Sequence, residues 1–117
     1  MLAHGAVLRS NVFSSDEVEA IARDYRTAGL TPAEVAMMSF AQKVTLNAYQ
    51  VTSGDVEGLR HHGFSDQEIL DIVLAAAARA FYSKALDAVG AEPDPAYGEL
   101  PAGLREALAI GRPFLKP

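Results

Sequence analysis

Residues 63–90, "GFSDQEILDIVLAAAARAFYSKALDAVG", decide how the rest of the chain is read. The stretch starts with Phe64 and Ser65, then Glu68 and Ile69. A hydroxyl three residues ahead of an acid, with apolar residues just outside both, is a capping box inside a hydrophobic staple. The hydroxyl accepts from an orphan backbone N–H, and the acid reaches back and meets the positive end of the helix dipole. At the far end Gly90 suits a helix C′ position. Between these marks, Ile69 to Tyr82 is apolar nearly all round, with only Asp71 and Arg79 interrupting. Such a helix is normally central and buried. At 66–89 it would be roughly 36 Å long, too long for a domain this small to cover, so part of it is expected to pack on another subunit or on further chain. Its run Ala75–Ala78 adds no bulk and lets a neighbouring helix come close.

The same punctuation occurs three more times, as Phe13-Ser14…Glu17-Val18, Leu30-Thr31…Glu34-Val35 and Val51-Thr52…Asp55-Val56. Asp55 is the weakest copy, because its side chain is shorter than Glu. Pro32 strengthens the second copy at the first helical position. Gly29 and Gly63 supply matching stops. The chain therefore reads as helices over 15–28, 32–49, 53–62 and 66–89, with Pro93 and Pro95 breaking it. Pro101 opens a fifth helix to about Ile110, which Gly111 and Pro113 end. No stretch alternates with period two, so no sheet is expected. Val18, Ile21, Ala22 and Tyr25 form one apolar stripe; Met37, Phe40, Ala41, Val44 and Ala48 form another. The fold class is all-α, a bundle of five to six helices in one domain, with 91–117 as a Pro-rich extension carrying a short helix.

Bulk properties narrow the function. The chain has 117 residues, half of them apolar, and a net charge of −5. Its ten Lys and Arg form no run, which argues against a nucleic-acid partner. With no cysteine there is no disulfide framework, thiolate metal site or cysteine nucleophile in these residues. The N-terminus lacks the features of a signal peptide, and the most apolar run, Ile72–Ala78, is far shorter than the roughly 20 residues of a membrane span. A soluble, cytoplasmic protein is expected, with no membrane partner. Gly54, Gly58 and Gly63 do not form a phosphate loop, and neither a Walker motif nor a dinucleotide fingerprint is present.

Candidate chemistry is sparse. His61 and His62 point about 100° apart on one helix and read as a solvated helix end favoured by the dipole; no metal and no cofactor are assigned. Met37 and Met38 read as core fillers. Tyr82 reads as a core aromatic with its hydroxyl satisfied. Asp71 and Arg79 stand too far apart to pair along their own helix, so their partners are expected on other helices or across a subunit interface.

The opening "MLAHGAVLRS", residues 1–10, looks helical but has no start signal, unlike the four marked helices. The expectation is that Met1 falls inside a longer helix. The stretches "AHGAVLR" (3–9), "DYRTAGLTPAEVAMMSFAQKVT" (24–45) and "VEGLRHHGFSDQEILDIVLAAAARAFYSKALDAVGAEPD" (56–94) resemble the C-terminal part of the alkylhydroperoxidase D-like, carboxymuconolactone decarboxylase-like family, in particular its peroxidase-related members. The resemblance implies a helical, homo-oligomeric protein and an oxidoreductase function on small peroxides. The family's redox motif is a Glu followed by Cys-x-x-Cys-x-x-x-His on a helix, with Gly after the His. His4-Gly5 matches its end, so the resemblance implies that the cysteine pair would precede Met1 and leaves His4 as the catalytic candidate. In that motif a thiolate attacks the peroxide, the second thiol resolves the sulfenic acid, and the His one turn away moves protons. Two departures stand out. No cysteine is present, and Phe81-Tyr82-Ser83-Lys84 occupies the place where relatives carry an Asn- and Arg-containing stretch. Two alternatives follow, a non-catalytic helical oligomerisation module and a cysteine-free lyase acting on a small acid or lactone.

Overall fold

The computed structural model describes Gly5 and residues 10–109. Among these residues every regular element is helical and no strand occurs. Five α-helices follow one another: α1 (Ser15–Asp24), α2 (Pro32–Asn47), α3 (Ser53–His61), α4 (Asp66–Ala88) and α5 (Ala102–Leu108). Gly5, Ser10 and Asn11 are also helical. Ile110, Gly111 and Pro113, expected at the end of the fifth helix, lie outside the described residues.

All four written starts close as capping boxes. In each, the carboxylate accepts the N-cap N–H at 2.7–2.8 Å. The N-cap hydroxyl accepts the acid's own N–H at 3.1–3.2 Å. The Asp55 copy is therefore no looser than the Glu copies. Its N-cap, Thr52, takes φ −110° where Ser14, Thr31 and Ser65 lie between −65° and −71°. That rotation accompanies the missing methylene and brings the shorter carboxylate within reach. Gly29, Gly63 and Gly90 all have positive φ, the left-handed conformation that ends a helix and that L side chains resist.

The helix ends differ from the sequence reading in one consistent way. Tyr25–Thr27 and Ala48–Tyr49, expected within the last turns of α-helices, belong instead to tighter 3₁₀ turns, Tyr25–Thr27 and Ala48–Gln50. Asp24 drives the first change, because its side chain accepts from the Arg26 N–H at 3.0 Å and caps a new turn. Helices commonly tighten this way at their ends. Between the prolines, Asp94 caps another 3₁₀ turn, Pro95–Glu99.

The contacts divide the chain into two compact units, 1–29 with 91–117, and 30–90. In the first, α1 lies against α5 around Val18, Leu104 and Leu108, with Phe13, Ala22, Tyr97 and Leu100 packed on them. Leu104 is completely buried. Gly5 is buried against Leu108, and a Cβ there would overlap that side chain, with Cδ2 at 3.1 Å. Arg105 donates to the Gly98 carbonyl at 2.6 Å, and Arg23 to the Gly103 carbonyl at 3.3 Å.

In the second unit α2, α3 and α4 enclose Phe40, Leu59 and Ile69. Ala36, Val44, Val51, Val56, Phe64, Ile72 and Val73 surround them. Here the reading of α4 as a buried helix fails. Its only buried residue is Ile69, and from Phe81 onward every residue of it is exposed. Two shorter helices can cover one side of a 23-residue helix. That side carries Ile69, Ile72, Val73, Ala76 and Ala80, which are buried or half-buried. The other side, with Leu70, Leu74, Phe81 and Tyr82 beside Asp71 and Arg79, is largely apolar and exposed.

Candidate functional site

His4, the catalytic candidate of the sequence, lies outside the described residues. The remaining candidates fall on two concavities of the 30–90 unit.

The first is a cleft of about 280 Å³ between α2 and α3, lined by Ala36, Ser39, Phe40, Lys43, Gly54, Asp55, Gly58, Leu59 and His62. Its charge is set by one pair: Lys43 Nζ donates to Asp55 Oδ2 at 2.7 Å, both side chains being about one-third exposed. Asp55 also accepts from the Thr52 N–H, and its carboxyl is held down at about 2. The Lys43 hydrogen bond is the leading cause and the Thr52 amide the next. Asp55 is thus ionised at neutral pH and occupied by three donors, Lys43 Nζ, the Thr52 N–H and the Thr52 hydroxyl. Such a group is a helix cap and a strut between α2 and α3 rather than a proton-transfer group, whose pKa should lie near the working pH. The Lys43–Asp55 pair was not legible in the sequence, because the two residues sit on different helices. The signal that could have found it is Asp55 itself, the one short acid among four caps.

His62 ends α3 on the cleft rim, while His61 Nδ1 lies 2.8 Å from the Glu57 carbonyl oxygen. Both rings are exposed, as a solvated helix end requires. Next to them Arg60 donates to Asp66 at 2.7 Å and to Glu57 at 2.8 Å, tying the end of α3 to the start of α4. These two bonds, Asp66 first, raise the Arg60 pKa further above its usual value. Among the described residues no group of three or more His, Cys, Asp and Glu could hold a metal ion.

The second concavity is an open apolar groove of about 410 Å³ between α2 and α4. Met37, Met38, Ala41, Ile72, Ala75 and Ala76 form it, with Asp71 and Arg79 at its ends. The methionines are half-buried groove walls and not core fillers. The core position on their helix belongs to Phe40, and Ala48 of the same expected stripe has moved into the exposed 3₁₀ turn. Asp71 and Arg79 are both exposed, and neither makes an ion pair among the described residues.

Around the helix from this groove the apolar surface continues. Leu70, Leu74, Phe81, Tyr82, Leu86 and Val89 are each more than half exposed. Tyr82 is 58 % exposed, so it is not a core aromatic; its ring meets Phe81 edge-on, with centroids 5.6 Å apart. Single exposed apolar residues are ordinary, but five of these six, Val89 excepted, stand on α4 itself. No helix among the described residues is long and apolar enough to cross a membrane.

No protein-family model matches the chain, and no curated protein matches it.

Proposed function

We propose that this chain is the assembling helical part of an alkylhydroperoxidase D-like, peroxidase-related oxidoreductase, and that its own residues serve self-association. The observation that carries the assembly half is the open apolar side of α4, whose residues are those of a core helix without a core around them. The oxidoreductase half is supported by the resemblance of the three stretches and by the His4-Gly5 pair. Gly5 is helical and buried, which agrees with its place after a His on the motif helix. A cytoplasmic location goes with this reading.

Peroxide reduction by the family's route needs a cysteine pair, and these residues hold none. Acid–base chemistry in the α2–α3 cleft gains little support, since Asp55 is held ionised by Lys43 and Thr52. Intact mass and peroxide turnover, measured on the protein from its native source, test the proposal. A mass clearly above 12.4 kDa, with Cys-x-x-Cys immediately ahead of Met1 and thiol-dependent turnover, is the expected result. A mass of 12.4 kDa with no turnover removes the oxidoreductase half and leaves the oligomerisation module.

A further inference from the structure

The groove between α2 and α4 has two features that a passive apolar surface does not need. Its ends carry opposite charges, Asp71 and Arg79, and its floor between them is Ala75 and Ala76. Residues 71, 75 and 79 form one row of i, i+4 steps on α4, and the row is symmetric in length about Ala75. Asp71 and Arg79 each lie about 6 Å along the axis from that alanine, on opposite sides.

We propose that α4 pairs with α4 of a second copy of this chain, antiparallel and crossing at Ala75, so that Asp71 of each copy meets Arg79 of the other. A two-fold operation reverses the row onto itself, and only a row with opposite charges at equal distances becomes self-complementary under it. Rows of i, i+4 residues on two helices run parallel when the axes cross at about 50°, about 8–10 Å apart, so the row can lie along its own symmetry mate. An approach at the near end of that range needs small residues at the crossing. Ala75 occupies the crossing, with Ala76 and Ala78 beside it. The second copy's helix then closes the roughly 410 Å³ groove and covers Met37, Met38 and Ala41 on its far wall. Tyr82 and Leu86 continue the same side of α4 beyond Arg79 and extend the contact. The charge pairs fix register and direction, because a one-step shift along the row sets Asp71 or, in the other direction, Arg79 against Ala75 and leaves both charges unmatched.

This inference rests on the reading that the chain self-associates. It is tested by sedimentation equilibrium on the wild type, Arg79→Asp, and the double exchange Asp71→Arg with Arg79→Asp, each checked for helicity and melting. Both charges are exposed and make no ion pair within the described chain, so the variants should fold. The wild type should associate. Arg79→Asp creates two Asp–Asp contacts per dimer and should weaken association by at least about tenfold, while the double exchange restores it to within about threefold. Raising salt from about 0.05 M to about 0.5 M should weaken the wild type and leave an Arg79→Gln, Asp71→Asn variant unchanged, a check free of charge reversal. If the wild type associates and Arg79→Asp leaves it unaffected, or the double exchange fails to restore it, the pairing is overturned while self-association stands. A monomeric wild type overturns both.

Discussion

Replacing Thr31 with Ala tests the device that organises this chain. Thr31 Oγ1 accepts from the Glu34 N–H at 3.2 Å and also donates to the Glu34 carboxylate at 3.0 Å. The carboxylate in turn accepts the Thr31 N–H at 2.8 Å. The substitution removes two of the three bonds. The orphaned Glu34 N–H sits at an exposed helix end, so water replaces the lost acceptor and the full cost of a buried unpaired group does not apply. N-cap substitutions of this kind cost about 1 kcal/mol. For a unit the size of residues 30–90, that corresponds to a fall of roughly 4–8 °C in Tm. The control is Thr45→Ala on the same helix, where Oγ1 only donates back to the Ala41 carbonyl at 2.8 Å. That carbonyl keeps its helical partner, and Ala is the better helix former, so Thr45→Ala should be neutral or stabilising. Glu34→Ala alone should cost less than Thr31→Ala, and the double variant less than the two summed, since both remove the same reciprocal pair. Urea unfolding followed by far-UV circular dichroism reads all four variants against the wild type. Equal stabilities for Thr31→Ala and Thr45→Ala would refute the reasoning.

Three further outcomes are expected. Leu104→Ala truncates a completely buried side chain of the 1–29/91–117 unit and should cost about 2–5 kcal/mol by urea unfolding; a cost below about 1 kcal/mol would mean that α5 does not hold this core. Gly5→Ala drives a Cβ into Leu108 and should destabilise by about 1–3 kcal/mol despite the better helix propensity of Ala, whereas Gly58→Ala, with open space around it, should be neutral or stabilising. Asp55→Asn should narrow its melting difference from wild type as pH falls. The folded pKa of about 2 lies below the usual 3.8, so the stabilisation by the carboxylate is complete above about pH 4 and lost as pH drops through about 2; a difference that stays constant from pH 6 to pH 2 would contradict the assigned role.

Much of the local structure was readable because it is written locally. Ser14, Thr31, Thr52 and Ser65 each sit three residues from the acid that answers them, and a single turn of backbone decides the outcome. The glycine stops are local in the same sense. What could not be read depends on neighbours. Ile69–Tyr82 looks buried on every side because apolarity records what a helix could bury and not what is present to cover it. Met37 and Met38 lie beside Phe40 on the same helix, and only the placement of α4 decides that Phe40 enters the core while they border a groove. Tyr25 left its helix because Asp24 formed a competing cap two residues ahead of Arg26. The candidate site was legible only in part. Asp71 and Arg79 stood out as charges on an apolar helix, but the Lys43–Asp55 strut across two helices did not.

The central claim, that this chain uses the open side of α4 to associate with itself, is tested most directly by the mass of the purified 117-residue chain in solution across a wide concentration range. The account predicts a concentration-dependent rise from 12.4 kDa to twice that mass or more. It also predicts that Leu74→Glu on the exposed flank of α4, or Arg79→Asp at the groove, reduces the association while the helicity of each chain is kept. A mass that stays at 12.4 kDa at the highest concentration reached would contradict it.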